Sequence, residues 1–129
     1  MEANELMIGD WVIHPYYKHP SKIVYFNGSR VRVEYEEVEA ESLRPIPLTP
    51  EILEKNGFTE IKGAYPTFQI DIYGYLIKVK FPKENKETNN ENPFLVIDSR
   101  PSYYSSECLY VHELQHVLKL LGIKKEIEL

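Results

Sequence analysis

Cysteine occurs once in the 129 residues, as Cys108, and tryptophan once, as Trp11. A lone cysteine excludes an internal disulfide and fits a reducing compartment. Basic residues are also few. Fifteen Lys and Arg against 20 Asp and Glu give a net charge of −5, which argues against a phosphate-tracking surface and so against nucleic acid as a partner. No apolar run approaches the roughly 18 residues of a membrane span. The opening Met1-Glu2-Ala3-Asn4-Glu5-Leu6 has no basic segment followed by an apolar core, so no secretory signal is expected. The cytoplasm is the expected location. Internal repeats, a phosphate loop, a dinucleotide fingerprint and a nucleophile elbow are all missing.

An apolar fraction of 43% with 12% aromatics is what a globular chain carries. Ten tyrosines are many for this length; each joins an apolar ring to a polar tip, which suits strand surfaces and contact surfaces.

Residues 6–36 read as β-structure. Leu6 to His14 is an apolar strand interrupted by Gly9-Asp10, a bulge or turn. Ser21 to Phe26 precedes Asn27-Gly28, a strong hairpin signal, and Arg30 to Glu36 alternates with Val31, Val33 and Tyr35 on one side. Short strands joined by tight turns predict a small, partly open SH3-like β-barrel, with Val38 to Leu43 closing it. Arg44-Pro45-Ile46-Pro47-Leu48 is too rich in proline for anything but extended backbone. Thr49-Pro50-Glu51 then starts a helix as N-cap, first helical proline and acidic first turn, and Gly57 ends it.

Phe68 to Ile72 and Tyr75 to Phe81 flank Tyr73-Gly74 as a hairpin, with Tyr75, Ile77, Val79 and Phe81 on one face. Lys83 to Asn92 has no apolar residue and reads as an exposed loop; Pro93 to Asp98 is a further strand. Arg100 to Ser106 reads as a loop approaching a helix, with Ser105 or Ser106 as N-cap. That helix runs from Leu109 to Leu121 and stops at Gly122, and Ile127 and Leu129 could add an edge strand. The expected fold is α+β: an SH3-like β-module over residues 1–48, and an α+β module over 49–129 with a second antiparallel sheet and the C-terminal amphipathic helix packed on it.

One motif names a chemistry. His112-Glu113-Leu114-Gln115-His116 is H-E-x-x-H, which on a helix places two histidines one turn apart to bind zinc, with the glutamate acting on a bound water. A catalytic zinc needs a third protein ligand. Downstream stand Glu126 and Glu128 and no histidine, and upstream stand His14 and His19, with no spacing that selects among them. The longer signature H-E-x-x-H-x-x-G-x-x-H fails, since Lys119 stands at the glycine and Gly122 at the last histidine. On a helical wheel Tyr110, Val111, Leu114, Val117, Leu118 and Leu121 form the apolar stripe, and His112 and His116 fall on the opposite face beside Lys119. The competing reading is therefore a structural amphipathic helix without catalytic, cofactor or metal residues.

Weaker candidates are the pair Cys108 and His112, the strand end Asp98-Ser99-Arg100, and the strand face of Arg30 and Arg32. With Trp11 and Tyr25 those arginines could make a nucleic-acid-binding barrel, against which the net charge stands.

Three segments taken together, Ile8-Gly9-Asp10-Trp11-Val12, Pro45-Ile46-Pro47-Leu48-Thr49-Pro50-Glu51-Ile52-Leu53 with Asn56-Gly57-Phe58, and Tyr110 to His116, resemble a family of small uncharacterised proteins of Bacteroides genomes and their phages or mobile elements. The resemblance covers the two ends and the middle, not residues 59–106. It implies a last helix kept for its Leu and Tyr packing, and it supplies no catalytic residue. The function expected is a non-enzymatic interaction module with a protein partner in a phage or mobile-element setting. The alternative is a zinc-dependent metallopeptidase or hydrolase with His112 and His116 as ligands and Glu113 as base.

Overall fold

The computed structural model describes residues 1–34, 36–82, 92–99 and 103–129. Tyr35, most of the Lys83 to Asn92 loop, and Arg100 with its two successors lie outside the described residues. The fold is α+β with two five-stranded antiparallel sheets, and the chain divides into two units. The first joins Met1–Pro47 to Tyr110–Leu121, and the second joins Leu48–Leu109 to Gly122–Leu129. The two units change over between Pro47 and Leu48. The last helix, however, groups with the first sheet rather than the second.

In the first unit the strands are β1 (Trp11–Ile13), β2 (Pro20–Asn27), β3 (Arg30–Val33), β4 (Glu36–Glu39) and β5 (Arg44–Pro45), in the order β4-β3-β2-β1-β5. Alternation sets the core: Val12, Ile23, Val31, Val33 and Val38 point inward and join Leu6, Ala40 and Leu43. Gly28-Ser29 turns the β2–β3 hairpin, one residue later than expected because Asn27 still pairs with Arg30, and Gly28 stands at φ 64°. The long first strand expected from Leu6 shrinks to Trp11–Ile13 because Gly9, at φ 92°, turns the backbone. A 3₁₀ turn (Ala40–Ser42) leads into β5, whose proline is tolerated because the strand lies at the sheet edge. Among the described residues β4 and β5 do not pair with each other, so the sheet is open and the expected closure by Val38 to Leu43 is not made.

The second unit begins with α1 (Pro50–Lys55), capped as expected: Thr49 Oγ1 accepts from Ile52 N–H at 3.3 Å, and Gly57 follows at φ 89°. Its sheet is a meander of β6 (Thr59–Ile61), β7 (Thr67–Ile72), β8 (Tyr75–Lys80), β9 (Phe94–Asp98) and β10 (Tyr103–Glu107). Tyr73 and Gly74, at φ 50° and 81°, make the two-residue turn of the β7–β8 hairpin. Phe68, Ile77, Val79, Leu95 and Ile97 are buried along one face, and Leu53, Phe58, Ile123 and Ile127 are buried in the same unit.

Two expectations are corrected here. Ser105 and Ser106 cap no helix; they lie in β10, which pairs with β9 in unbroken register from Tyr103↔Asp98 to Glu107↔Phe94. Strand-forming tyrosines and a ready partner outweigh the local polar composition. The tail adds no edge strand either. Glu128 donates its N–H to Asn56 Oδ1 and accepts from Asn56 Nδ2, both at 2.7 Å, so a side-chain amide takes the place of a neighbouring strand.

Candidate functional site

The last helix, α2 (Val111–Leu120), carries the H-E-x-x-H motif and lies beside β1 in the first unit. Val111, Leu114 and Leu118 are buried, but the buried arc does not stop at this stripe. It continues through Gln115 to His112, which is only 5% exposed, while Val117 is half-buried and Leu120 faces solvent. The histidines therefore do not look away from the protein as the wheel suggested. The reason is the Met7–Trp11 turn, which lies against this side of the helix and must have its backbone groups satisfied.

Two helix residues bond to them, and a third meets the Asp10 carboxylate. Gln115 donates from Nε2 to Gly9 O at 3.0 Å and accepts at Oε1 from Trp11 N–H at 2.9 Å. Lys119 Nζ donates to Ile8 O at 2.6 Å. His116 Nε2 lies 2.7 Å from Asp10 Oδ2, which also accepts from Met7 N–H at 2.8 Å. Asp10 is fully buried, and a carboxylate in that position requires such donors. Gly9 is required where it stands, because its φ of 92° is a left-handed conformation that costs other residues energy.

Glu113 is also engaged: its Oε1 accepts from Tyr110 N–H at 3.1 Å, the reach-back of a capping box at the helix start. His112 lies under Tyr110 with its ring stacked at 10° and 5.8 Å, and meets His116 edge-on at 5.5 Å. Burial lowers the His112 pKa below 6.5; the carboxylates of Asp10, Glu113 and Glu5 oppose this, and His116 adds to it. Two buried polar atoms here make no hydrogen bond, Asp10 Oδ1 and His112 Nδ1.

A second polar cluster lies on the β1–β2 loop. His14 is buried and accepts at Nδ1 from Tyr16 and Tyr17 N–H at 3.1 and 3.3 Å, while its Nε2 lies 3.2 Å from Glu36 Oε1. His19 stacks on Tyr17 at 9° and 5.7 Å. Tyr16 and Tyr17 themselves are 75% and 64% exposed.

The other candidate residues are dispersed. Glu126, Glu128 and Cys108 belong to the second unit, where Glu128 is tied to Asn56 and Cys108 is buried. Asp98 and Ser99 border a shallow surface depression with Asp71, Gly74 and Leu76, and Arg100 lies outside the described residues. On the outer face of the first sheet, Lys22 sits 5.0 Å over the Trp11 ring, Arg32 sits 6.0 Å from the Tyr25 ring, and Arg30 pairs with Glu39 at 3.0 Å. Among the described residues no three His, Cys, Asp or Glu side chains are grouped to hold a metal ion. Nor is any helix long and apolar enough to cross a membrane.

Asp10 and Gln115 are the members of the clasp that sequence reasoning missed. The available signal was an acidic residue inside an otherwise apolar run, Ile8-Gly9-Asp10-Trp11-Val12, which demands a buried partner once that run enters a core. No family model, curated protein or solved structure matches the chain.

Proposed function

We propose that the protein is a non-enzymatic interaction module with a protein partner, acting in the cytoplasm in a phage or mobile-element setting. One observation carries the reading: Glu113, Gln115 and His116, three of the motif's four polar side chains, are committed to the fold. Glu113 holds Tyr110 N–H, Gln115 holds Gly9 and Trp11, and His116 holds Asp10. A general base must instead reach the proton it abstracts, directly or through one water. H-E-x-x-H here is a clasp for the Met7–Trp11 turn.

The strand order β4-β3-β2-β1-β5, with a 3₁₀ turn before β5, supports an SH3-like reading of the first sheet. Its β1–β2 loop displays Tyr16 and Tyr17 on a base fixed by buried His14. Rigid, exposed tyrosines are what protein interfaces favour, because they bury much area for little lost rotamer freedom. The net charge of −5 makes a phosphate backbone a poor partner.

A second reading, a zinc-dependent hydrolase, has one observation in its favour. Asp10 Oδ1 and His112 Nδ1 are buried without hydrogen bonds beside His116, which places a carboxylate near the motif that no downstream residue supplies. Zinc titration of chelator-stripped protein by calorimetry separates the two. The interaction module takes up no stoichiometric zinc and melts at the same temperature with or without it. Tight uptake of about one equivalent, lost in both His112→Ala and His116→Ala, overturns it. The same module predicts that a partner cross-linked to the wild type is lost in a Tyr16→Ser, Tyr17→Ser double variant that keeps its melting temperature.

A further inference from the structure

Among the described residues the second sheet ends on a strand whose one charged residue is Glu107. β10 lies last in the order β10-β9-β8-β7-β6, and its sequence Tyr103-Tyr104-Ser105-Ser106-Glu107 has no proline, glycine or lysine. It pairs with β9 without a bulge. Natural edges are blunted by charge, proline, bulges or covering segments, because an open row of N–H and C=O groups recruits another strand. Here Tyr103 and Tyr104 are 69% and 53% exposed, and among the described residues no strand pairs beyond β10.

The hydrogen-bond phase says which groups are free. Cys108 N–H donates to Pro93 O at 2.9 Å, continuing the register one step past Glu107↔Phe94. In an antiparallel ladder bonded and non-bonded pairs alternate. Ser106 and Tyr104 therefore direct their backbone groups to β9, and Tyr103, Ser105 and Glu107 direct theirs outward. The Glu107 carbonyl already accepts from the Ser106 hydroxyl at 3.3 Å, and a carbonyl oxygen has a second lone pair to offer.

We propose that this edge pairs with β10 of a second copy of the chain, antiparallel about a two-fold axis through Ser105. Antiparallel pairing about a two-fold makes each contact twice, so the strand must be complementary to itself. The Ser105 centre meets that demand. It sets Ser105 against Ser105, and Tyr103 against Glu107 of the other copy, so that every outward-facing residue meets an outward-facing one. All three outward N–H groups and all three outward C=O groups of each strand are then paired. Charge selects the same register. Glu107 faces a tyrosine hydroxyl, which can donate to it, whereas a centre at Glu107 would oppose two carboxylates. Tyr104 would lie opposite Ser106 on the face that buries Leu95 and Ile97 in each copy, extending that apolar surface across the join. The two meanders would form one continuous sheet. This pairing is independent of the role proposed for the first unit.

One strand pair is a small interface and a weak one, so association is to be read at high concentration. Sedimentation equilibrium from about 10 µM to 1 mM should show reversible dimerisation. At the high end, residue-resolved hydrogen exchange should show protection of the Tyr103, Ser105 and Glu107 amides, which exchange fast in dilute protein; Tyr104 and Ser106 stay protected throughout. Ser105→Pro removes an outward N–H that the monomer does not use, and Ser105→Lys sets two ammonium groups against each other at the axis. Both should weaken the dimer roughly tenfold or more while leaving Tyr104 and Ser106 protected. A wild type that stays monomeric to about 1 mM, a dimer unaffected by both substitutions, or a dimer whose Tyr103, Ser105 and Glu107 amides still exchange fast overturns the proposal.

Discussion

His116 Nε2 stands 2.7 Å from Oδ2 of Asp10, a fully buried carboxylate 106 residues away in sequence. The contact fixes the end of the chain against its beginning within the first unit. It also explains why a polar residue persists inside Ile8-Gly9-Asp10-Trp11-Val12. The Asp10 carboxylate accepts from Met7 N–H as well, so it both shapes its own turn and receives the helix.

Asp10→Ala should therefore destabilise the first unit by about 3 kcal/mol, since it strands the Met7 N–H and removes the acceptor of His116. Asp10→Asn keeps the shape and one acceptor oxygen, and should cost less. Urea unfolding followed by the fluorescence of Trp11, the only tryptophan, reports from within this unit. Equal stability of Asp10→Ala and wild type would remove the clasp from the account.

Much of the fold was legible because its signals are local. Thr49-Pro50, Gly28 and Tyr73-Gly74 specify a helix start and two hairpins through the backbone conformations of the residues themselves. The clasp was not legible, because no periodicity tells a helix that a turn 106 residues upstream will need its polar side. A wheel built on hydropathy alone assigns His112 and His116 to solvent, whereas the fold buries His112 and sets His116 against the Asp10 carboxylate. β10 was lost for the converse reason: Ser105 and Ser106 have the composition of a loop, and only the partner strand β9 makes a strand of them.

Glu113 offers a direct discrimination between a structural and a catalytic motif. Its carboxylate accepts from Tyr110 N–H at 3.1 Å, a contact that glutamine can reproduce. Glu113→Gln should hold wild-type stability, and Glu113→Ala should lose about 1 kcal/mol. A hydrolase predicts otherwise: Glu113→Gln would abolish a measurable peptide or ester turnover, because an amide cannot serve as the base.

His112 ties stability to pH. Burial lowers its pKa below 6.5, so the folded protein prefers the neutral ring more than the unfolded chain does. Above pH 6.5 both states hold the ring neutral and its contribution is fully present. As pH falls below that value the unfolded chain takes up the proton first. Stability is then lost down to the lowered folded-state pKa, and no further beneath it. In His112→Phe, which keeps the stacked ring under Tyr110 and cannot titrate, this loss should be missing. Urea midpoints from pH 7.5 to 4.5 for both proteins test it through their difference, which should widen against the wild type as pH falls. A difference that stays constant with pH would mean that the ring carries no linked proton.

Asn56 performs for the second unit what Gln115 performs for the first, and its removal makes the clearest local prediction. Its amide donates to Ile52 O and to Glu128 O, both at 2.7 Å, and accepts from Glu128 N–H at 2.7 Å, while the side chain is almost fully buried. The tail from Ile123 onward has no ladder of its own, so this amide, the Lys55 Nζ bond to Leu129 O and the burial of Ile123 and Ile127 help to hold it. Asn56→Ala should cost about 2–4 kcal/mol and free the tail, exposing Lys124 and Lys125 to trypsin well before the remainder of the unit is cut. Asn56→Asp keeps the acceptor for Glu128 N–H but turns a carboxylate oxygen toward two carbonyls, so it should be nearly as damaging. If Asn56→Asp were as stable as the wild type, the acceptor bond alone would account for the tail, and the two donor contacts would carry no weight.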